Sequence, residues 1–220
     1  MSLAGFSYAD ARLHARLAAR MRDADWQALE TALDFAHALE LAARLPVAHS
    51  AGRLDRTSTV HAVETALRAE FTAQLMEIAG WLPQRWRRAA ASLIDLPFLR
   101  KRAYAVSGEA WPDWLDLGAT GEIGPPQSVL DDFHRHLPRR SRTDAVAQVI
   151  DPLVQRYVSR SEPGPAPDWS ALETHFIKQF RSNRVGPVPI FAYLGLVMLD
   201  GERLRGILVT HAVFARGPDA

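Results

Sequence analysis

Between Val60 and Ala79 the chain has neither proline nor glycine. Val60, Val63, Leu67, Phe71, Leu75 and Ile78 recur there three or four positions apart. Only a helix gathers residues of that spacing on one face. The ridge predicts a helix of roughly 30 Å at 1.5 Å per residue, started by one of the capping residues Thr57, Ser58 and Thr59 and closed by Gly80. One apolar stripe of that length has to be covered by other elements.

The rest of the chain supplies them as helices. Ser7 is a candidate cap for an Ala/Leu/Arg-rich run to about Arg22, residue types of high helix propensity. Leu13, Leu17 and Met21 make its stripe. Asp23 and Asp25 offer the next cap, and Trp26, Leu29, Leu33 and Ala36 predict one helix continuing to Arg44. Pro83 suits the first turn of a helix towards Val106, with Pro97 as a break. Helices are also expected over 127–136 and 143–160, the latter interrupted near Pro152. Asp168 then caps a helix to Arg181, with Trp169, Leu172, Phe176 and Phe180 on one face. Pro187 and Pro189 open a helix through Leu199. The stretch Glu202–Phe214 fits helix or strand by pattern and is assigned as helix, because no upstream segment offers a strand partner.

The expected fold is therefore all-α, an elongated multi-helix bundle of about two packed lobes. The chain of 220 residues has room for an N-terminal lobe over 1–110 and a C-terminal lobe over 127–220, or for one continuous domain. Residues 111–126, with three glycines and Pro125–Pro126, are the natural linker.

Composition narrows the chemistry. Hydrophobic residues make up 48% of the chain and charged residues 23%, as in a globular protein. There is no cysteine, which excludes disulfides, a thiol nucleophile and thiolate metal sites. The first eight residues lack a signal-peptide pattern. The longest apolar stretch, Val188–Leu199, falls short of the roughly 20 residues a spanning helix needs. Of the 26 basic residues all but Lys101 and Lys178 are arginine, which suits planar, bidentate partners such as carboxylate or phosphate.

The motifs of enzymes are missing. No G-x-x-x-x-G-K-[ST], G-x-G-x-x-G or G-x-S-x-G occurs. His61 and Glu64 sit three apart and share a helix face, whereas His134 and His136 do not. A hydrolase or metal-dependent enzyme would have to draw on His61, Glu64 or His134. No catalytic, cofactor-binding or metal-ligating residue is assigned, and no cofactor is expected. Arg85, Arg87 and Arg88, Arg100–Arg102 and Arg139–Arg142 form basic clusters. Trp81, Trp86, Trp111 and Trp114 are candidates for an interaction patch. With a net charge of +1, an acidic protein partner fits the clusters better than nucleic acid.

The run from Arg184 to Leu208, Arg-Val-Gly-Pro-Val-Pro-Ile-Phe-Ala-Tyr-Leu-Gly-Leu-Val-Met-Leu-Asp-Gly-Glu-Arg-Leu-Arg-Gly-Ile-Leu, resembles the C-terminal signature of the C/d subunit of V-type and A-type rotary ATPases. Gly186, Pro187, Pro189, Ala192, Tyr193, Leu194, Leu204, Arg205, Ile207 and Leu208 match it. The opening from Tyr8 to Arg16 and the segment from Asp95 to Tyr104 are similar to two further stretches of that family. In the latter, Asp95 and Leu99 match, Arg100 replaces a lysine and Phe98 an asparagine. Val188 stands where the family has glutamate, and Gly201 sits in the family's acidic turn.

The resemblance implies a shortened member of the family, a non-catalytic structural subunit. It would join the central stalk to the membrane ring, so that ATP hydrolysis is linked to proton or sodium transport. It further implies peripheral attachment through protein partners on the cytoplasmic face. Tyr8, Asp95, Leu99, Arg100, Gly186, Pro187, Pro189, Tyr193, Leu204 and Arg205 would be structural or interface positions. The alternative is a stand-alone helical adaptor or regulator descended from the same family, motivated by the shorter chain and the replaced signature residues.

Overall fold

The computed structural model describes residues 4–93, 131, 133–138, 143–159, 169–183 and 186–214. Among these every regular element is helical: α1 (Ala4–Ala18), α2 (Asp23–Glu30), α3 (Phe35–Ala42), α4 (Ala48–Ala51), α5 (Val60–Trp81), α6 (Gln84–Ala91), α7 (Thr143–Ser159), α8 (Trp169–Ser182) and α9 (Pro187–Phe214). Residues 133–136 are helical as well. The all-α expectation holds for them. The 111–126 linker lies outside the described residues.

The α5 ridge forms as its spacing predicts. Thr59 Oγ1 accepts the N–H of Ala62 at 3.1 Å, satisfying a donor of the first turn. Val63, Leu67, Phe71, Leu75 and Ile78 are all buried. Each such side chain contributes about 1.5–3 kcal/mol by leaving water.

Two expectations about helix length fail in opposite directions. The single helix over 26–44 is two helices. Asp34 is extended (φ −156°, ψ −179°) and caps α3, its carboxylate accepting the His37 N–H at 2.8 Å. His37 Nδ1 in turn accepts the N–H of Leu33 at 3.2 Å. These local bonds satisfy the broken turn, and Leu33, expected on the apolar stripe, is 89% exposed. The buried set becomes Trp26 and Leu29 from α2 with Phe35, Ala38 and Ala42 from α3.

Conversely, the two elements expected after residue 186 are one helix. α9 runs 28 residues straight through Gly201. Glycine costs a helix interior only about 1 kcal/mol against alanine, and burial of Leu199, Leu204, Ile207 and Leu208 on both sides outweighs it. Pro152 likewise lies inside α7. Its missing N–H and ring clash cost about 3 kcal/mol, a penalty offset by the buried Val149, Ile150 and Leu153 around it. Ser7 is not a cap, since α1 begins at Ala4.

The chain forms two units, residues 1–14 with 74–199, and residues 15–73 with 200–220. The first has an aromatic core. Phe191 packs on Trp86 and on Phe133, each with ring centroids 5.9 Å apart, and Phe180 meets Tyr193 at 6.3 Å and His14 at 4.7 Å. Gly195 matters here. A Cβ on it would lie 2.6 Å from the Phe176 ring, so the missing side chain is what lets α8 approach α9.

The second unit packs Trp26, Leu29, Phe35, Val63 and Leu67 against Leu204, Ile207, Leu208 and Ala212 of α9. Polar contacts surround this core. Arg20 donates to both oxygens of Asp200 at 2.6 Å. Arg203 pairs with Glu30 at 2.8 Å and stands 4.9 Å over the Trp26 ring. The His211 ring nitrogen meets the Leu29 carbonyl at 3.1 Å.

Candidate functional site

Two places in the structure collect the sequence-derived candidates. The first is the start of α9. Pro187 occupies the first helical position, where its missing N–H costs nothing. Gly186, Pro187, Val188, Pro189 and the run from Ile190 to Leu196 are all buried. Tyr193 is 7% exposed and reaches the Phe180 ring. The structure thus brings Gly186, Pro187, Pro189 and Tyr193 together in the core of the first unit. Leu204 and Arg205 belong to the second unit.

Arg205 meets two carboxylates, Glu64 and Glu202. Its Nε donates to Glu64 at 2.7 Å and its Nη1 to Glu202 at 3.4 Å. The two carboxylate side chains are only 5% and 6% exposed. Glu64 is therefore engaged by a guanidinium, while His61 is exposed. No group of three metal-ligating side chains occurs among the described residues.

The second place is the surface around Tyr8 on α1. Arg12 Nη1 donates to the Tyr8 hydroxyl at 2.7 Å. Its guanidinium stands 4.8 Å over the Trp81 ring, and the Tyr8 and Trp81 rings meet edge-on at 6.5 Å. At the α5–α6 turn, Arg87 Nε donates to the Leu82 carbonyl at 2.8 Å. Arg85, Arg87 and Arg88 are exposed, while Trp86, Ala89 and Ala90 between them are buried. Of the four candidate patch tryptophans, Trp86 is thus a core residue and Trp81 is half-buried. Trp111 and Trp114 lie outside the described residues, as do Asp95, Leu99, Arg100 and the cluster Arg139–Arg142.

His134 does acquire a partner, one that spacing could not reveal. Its Nε2 lies 3.4 Å from Asp151 Oδ1, an ion-pair distance that makes no hydrogen bond. Burial raises the Asp151 carboxyl above its usual 3.8, with the charge of His134 and its polar contact opposing. Near α5, Asp55 is shifted the other way. The Thr57 hydroxyl and backbone N–H, then the Ser58 hydroxyl, hold its ionised form.

No helix among the described residues is long and apolar enough to cross a membrane. No protein-family model, curated protein or solved structure matches the chain.

Proposed function

We propose that the protein is a shortened C/d-type subunit of a V/A-type rotary ATPase, a structural part that joins the central stalk to the membrane ring. The observation that carries this proposal is the run from Gly186 to Leu208. Its Gly-Pro-x-Pro opening, its Ala-Tyr-Leu core and its Leu-Arg-x-Ile-Leu end resemble that family in order and spacing. The positions involved support a mechanical role. Pro187, Pro189 and Tyr193 are buried, and Arg205 is tied to two carboxylates. A part that transmits torque needs side chains locked by packing and charge. Attachment to the membrane would come through the ring proteins, on the cytoplasmic face.

The test is co-purification. Tagged full-length protein expressed in its own cells and extracted from membranes in mild detergent should bring down the other subunits of the ATPase, identified by mass spectrometry. A preparation that never carries the stalk and ring subunits refutes the role.

A further inference from the structure

Three arginines of the second unit are paired with carboxylates: Arg20 with Asp200, Arg203 with Glu30, Arg205 with Glu64. Those of the Tyr8 surface are not. Arg12, Arg85, Arg87 and Arg88 have no carboxylate within 4.0 Å among the described residues. Yet two of them are held in place. Arg12 is fixed by the Tyr8 hydroxyl and the Trp81 ring. Arg87 is fixed by the Leu82 carbonyl, one residue from Trp81. Each uses a single N–H in doing so, and a guanidinium has five. Four exposed cations leave most of their donors unused, and the two pre-positioned ones, Arg12 and Arg87, both contact the Trp81–Leu82 end of α5.

We propose that Tyr8, Arg12, Trp81, Arg85, Arg87 and Arg88 form a docking surface for a carboxylate-rich segment of a partner protein. This proposal does not depend on the rotary-ATPase reading.

Charge complementarity selects an anionic occupant, because unpaired guanidinium forks match carboxylates bidentately. The aromatic content selects a protein. Trp, Tyr and Arg are the side chains that dominate protein–protein hot spots, and here all three touch one another. A lipid surface fits less well. An interfacial helix inserts apolar side chains, and those of α6, Trp86, Ala89 and Ala90, already face the core. A nucleic acid would call for a broad positive field, and the chain's net charge is +1.

The test uses the full chain and a fluorescent peptide of ten mixed Asp and Glu residues, with its Asn/Gln counterpart as control. Anisotropy should show binding of the acidic peptide alone at low salt, lost at about 1 M salt, where charges are screened within roughly 3 Å. The double variant Arg85→Gln/Arg88→Gln should weaken binding roughly tenfold. Arg12→Gln should weaken it too, and Arg53→Gln, an exposed arginine of the other unit, should not. All three are surface changes, and an unchanged circular dichroism spectrum shows that the fold is kept. Peptide binding that is absent, or equal in wild type and the double variant, overturns the proposal. So does a double variant that loses only its affinity for phosphatidylglycerol vesicles or for a single-stranded oligonucleotide.

Discussion

Gly195→Ala is expected to destabilise the protein, against the ordinary effect of that substitution in a helix. Alanine is favoured over glycine by about 1 kcal/mol in a helix interior, and Gly195 lies well inside α9. The new methyl, however, would stand 2.6, 2.6 and 2.8 Å from three atoms of the Phe176 ring. Carbon atoms pack at about 3.5–4.0 Å, so ring or helix must give by about 1 Å. Phe176 has no exposed surface, so its ring cannot swing out into solvent. Overpacking of this kind costs about 1–3 kcal/mol, which leaves a net loss of about 1 kcal/mol. Gly206, on the same helix, has nothing within 4 Å of its would-be Cβ. Gly206→Ala should therefore stabilise by up to about 1 kcal/mol.

Comparing the two variants cancels the propensity term and isolates the clash. Urea unfolding followed by helical circular dichroism reads it as a midpoint shift at constant slope. In a Phe176→Leu background the obstacle is gone, and Gly195→Ala should change sign and become stabilising. Equal effects at the two glycines, or no change of sign in that background, would refute the reasoning.

Arg205→Met should cost about 2 kcal/mol, below the usual figure for a broken buried pair because Arg205 is partly exposed. Arg203→Met, from a pair open to solvent on both sides, should cost under about 1 kcal/mol in the same urea assay. Arg20→Lys should lose about 1 kcal/mol, since an ammonium cannot reproduce the two-pronged bond to Asp200. Asp151 binds its proton more tightly folded than unfolded, so its ionisation removes stability as pH rises above 3.8. Asp151→Asn should raise the urea midpoint at neutral pH, and the gain should vanish below 3.8. Asp55 has the opposite sign. Its stabilisation is present above 3.8 and lost on acidification. Thr57→Val should lower the midpoint near neutrality and leave it unchanged in acid.

What spacing alone can reveal is visible in α5, whose ridge and Thr59 cap are both local properties of the sequence. The α2–α3 break escaped because Leu33 sits in register with Trp26 and Leu29. The opposing signal was a single capping aspartate, Asp34, and a histidine three residues on. The continuity of α9 escaped for the converse reason. Gly201 reads as a stop unless the long-range partners of Asp200, Arg203 and Arg205 are known, and these lie some 140 to 180 residues away. The candidate site divides in the same way. The arginine cluster of α6 is contiguous and could be read directly, whereas the seating of Arg12 on Trp81 and the pairing of Glu64 with Arg205 exist only once the helices have packed. The His134–Asp151 contact is of the same kind.

Helix α9 is one element under two regimes. Residues 190–199 are held almost wholly by hydrocarbon and aromatic contact, and residues 200–214 also by three arginine–carboxylate pairs and a histidine. Apolar burial weakens on cooling, whereas ion pairs weaken as salt rises, the open Arg203–Glu30 pair most and the pair of buried Glu64 least. Chilling should therefore speed amide exchange first towards the proline end of the helix, and concentrated salt towards the Phe214 end. A single continuous helix then carries two separate melting tendencies, one set by temperature and the other by ionic strength.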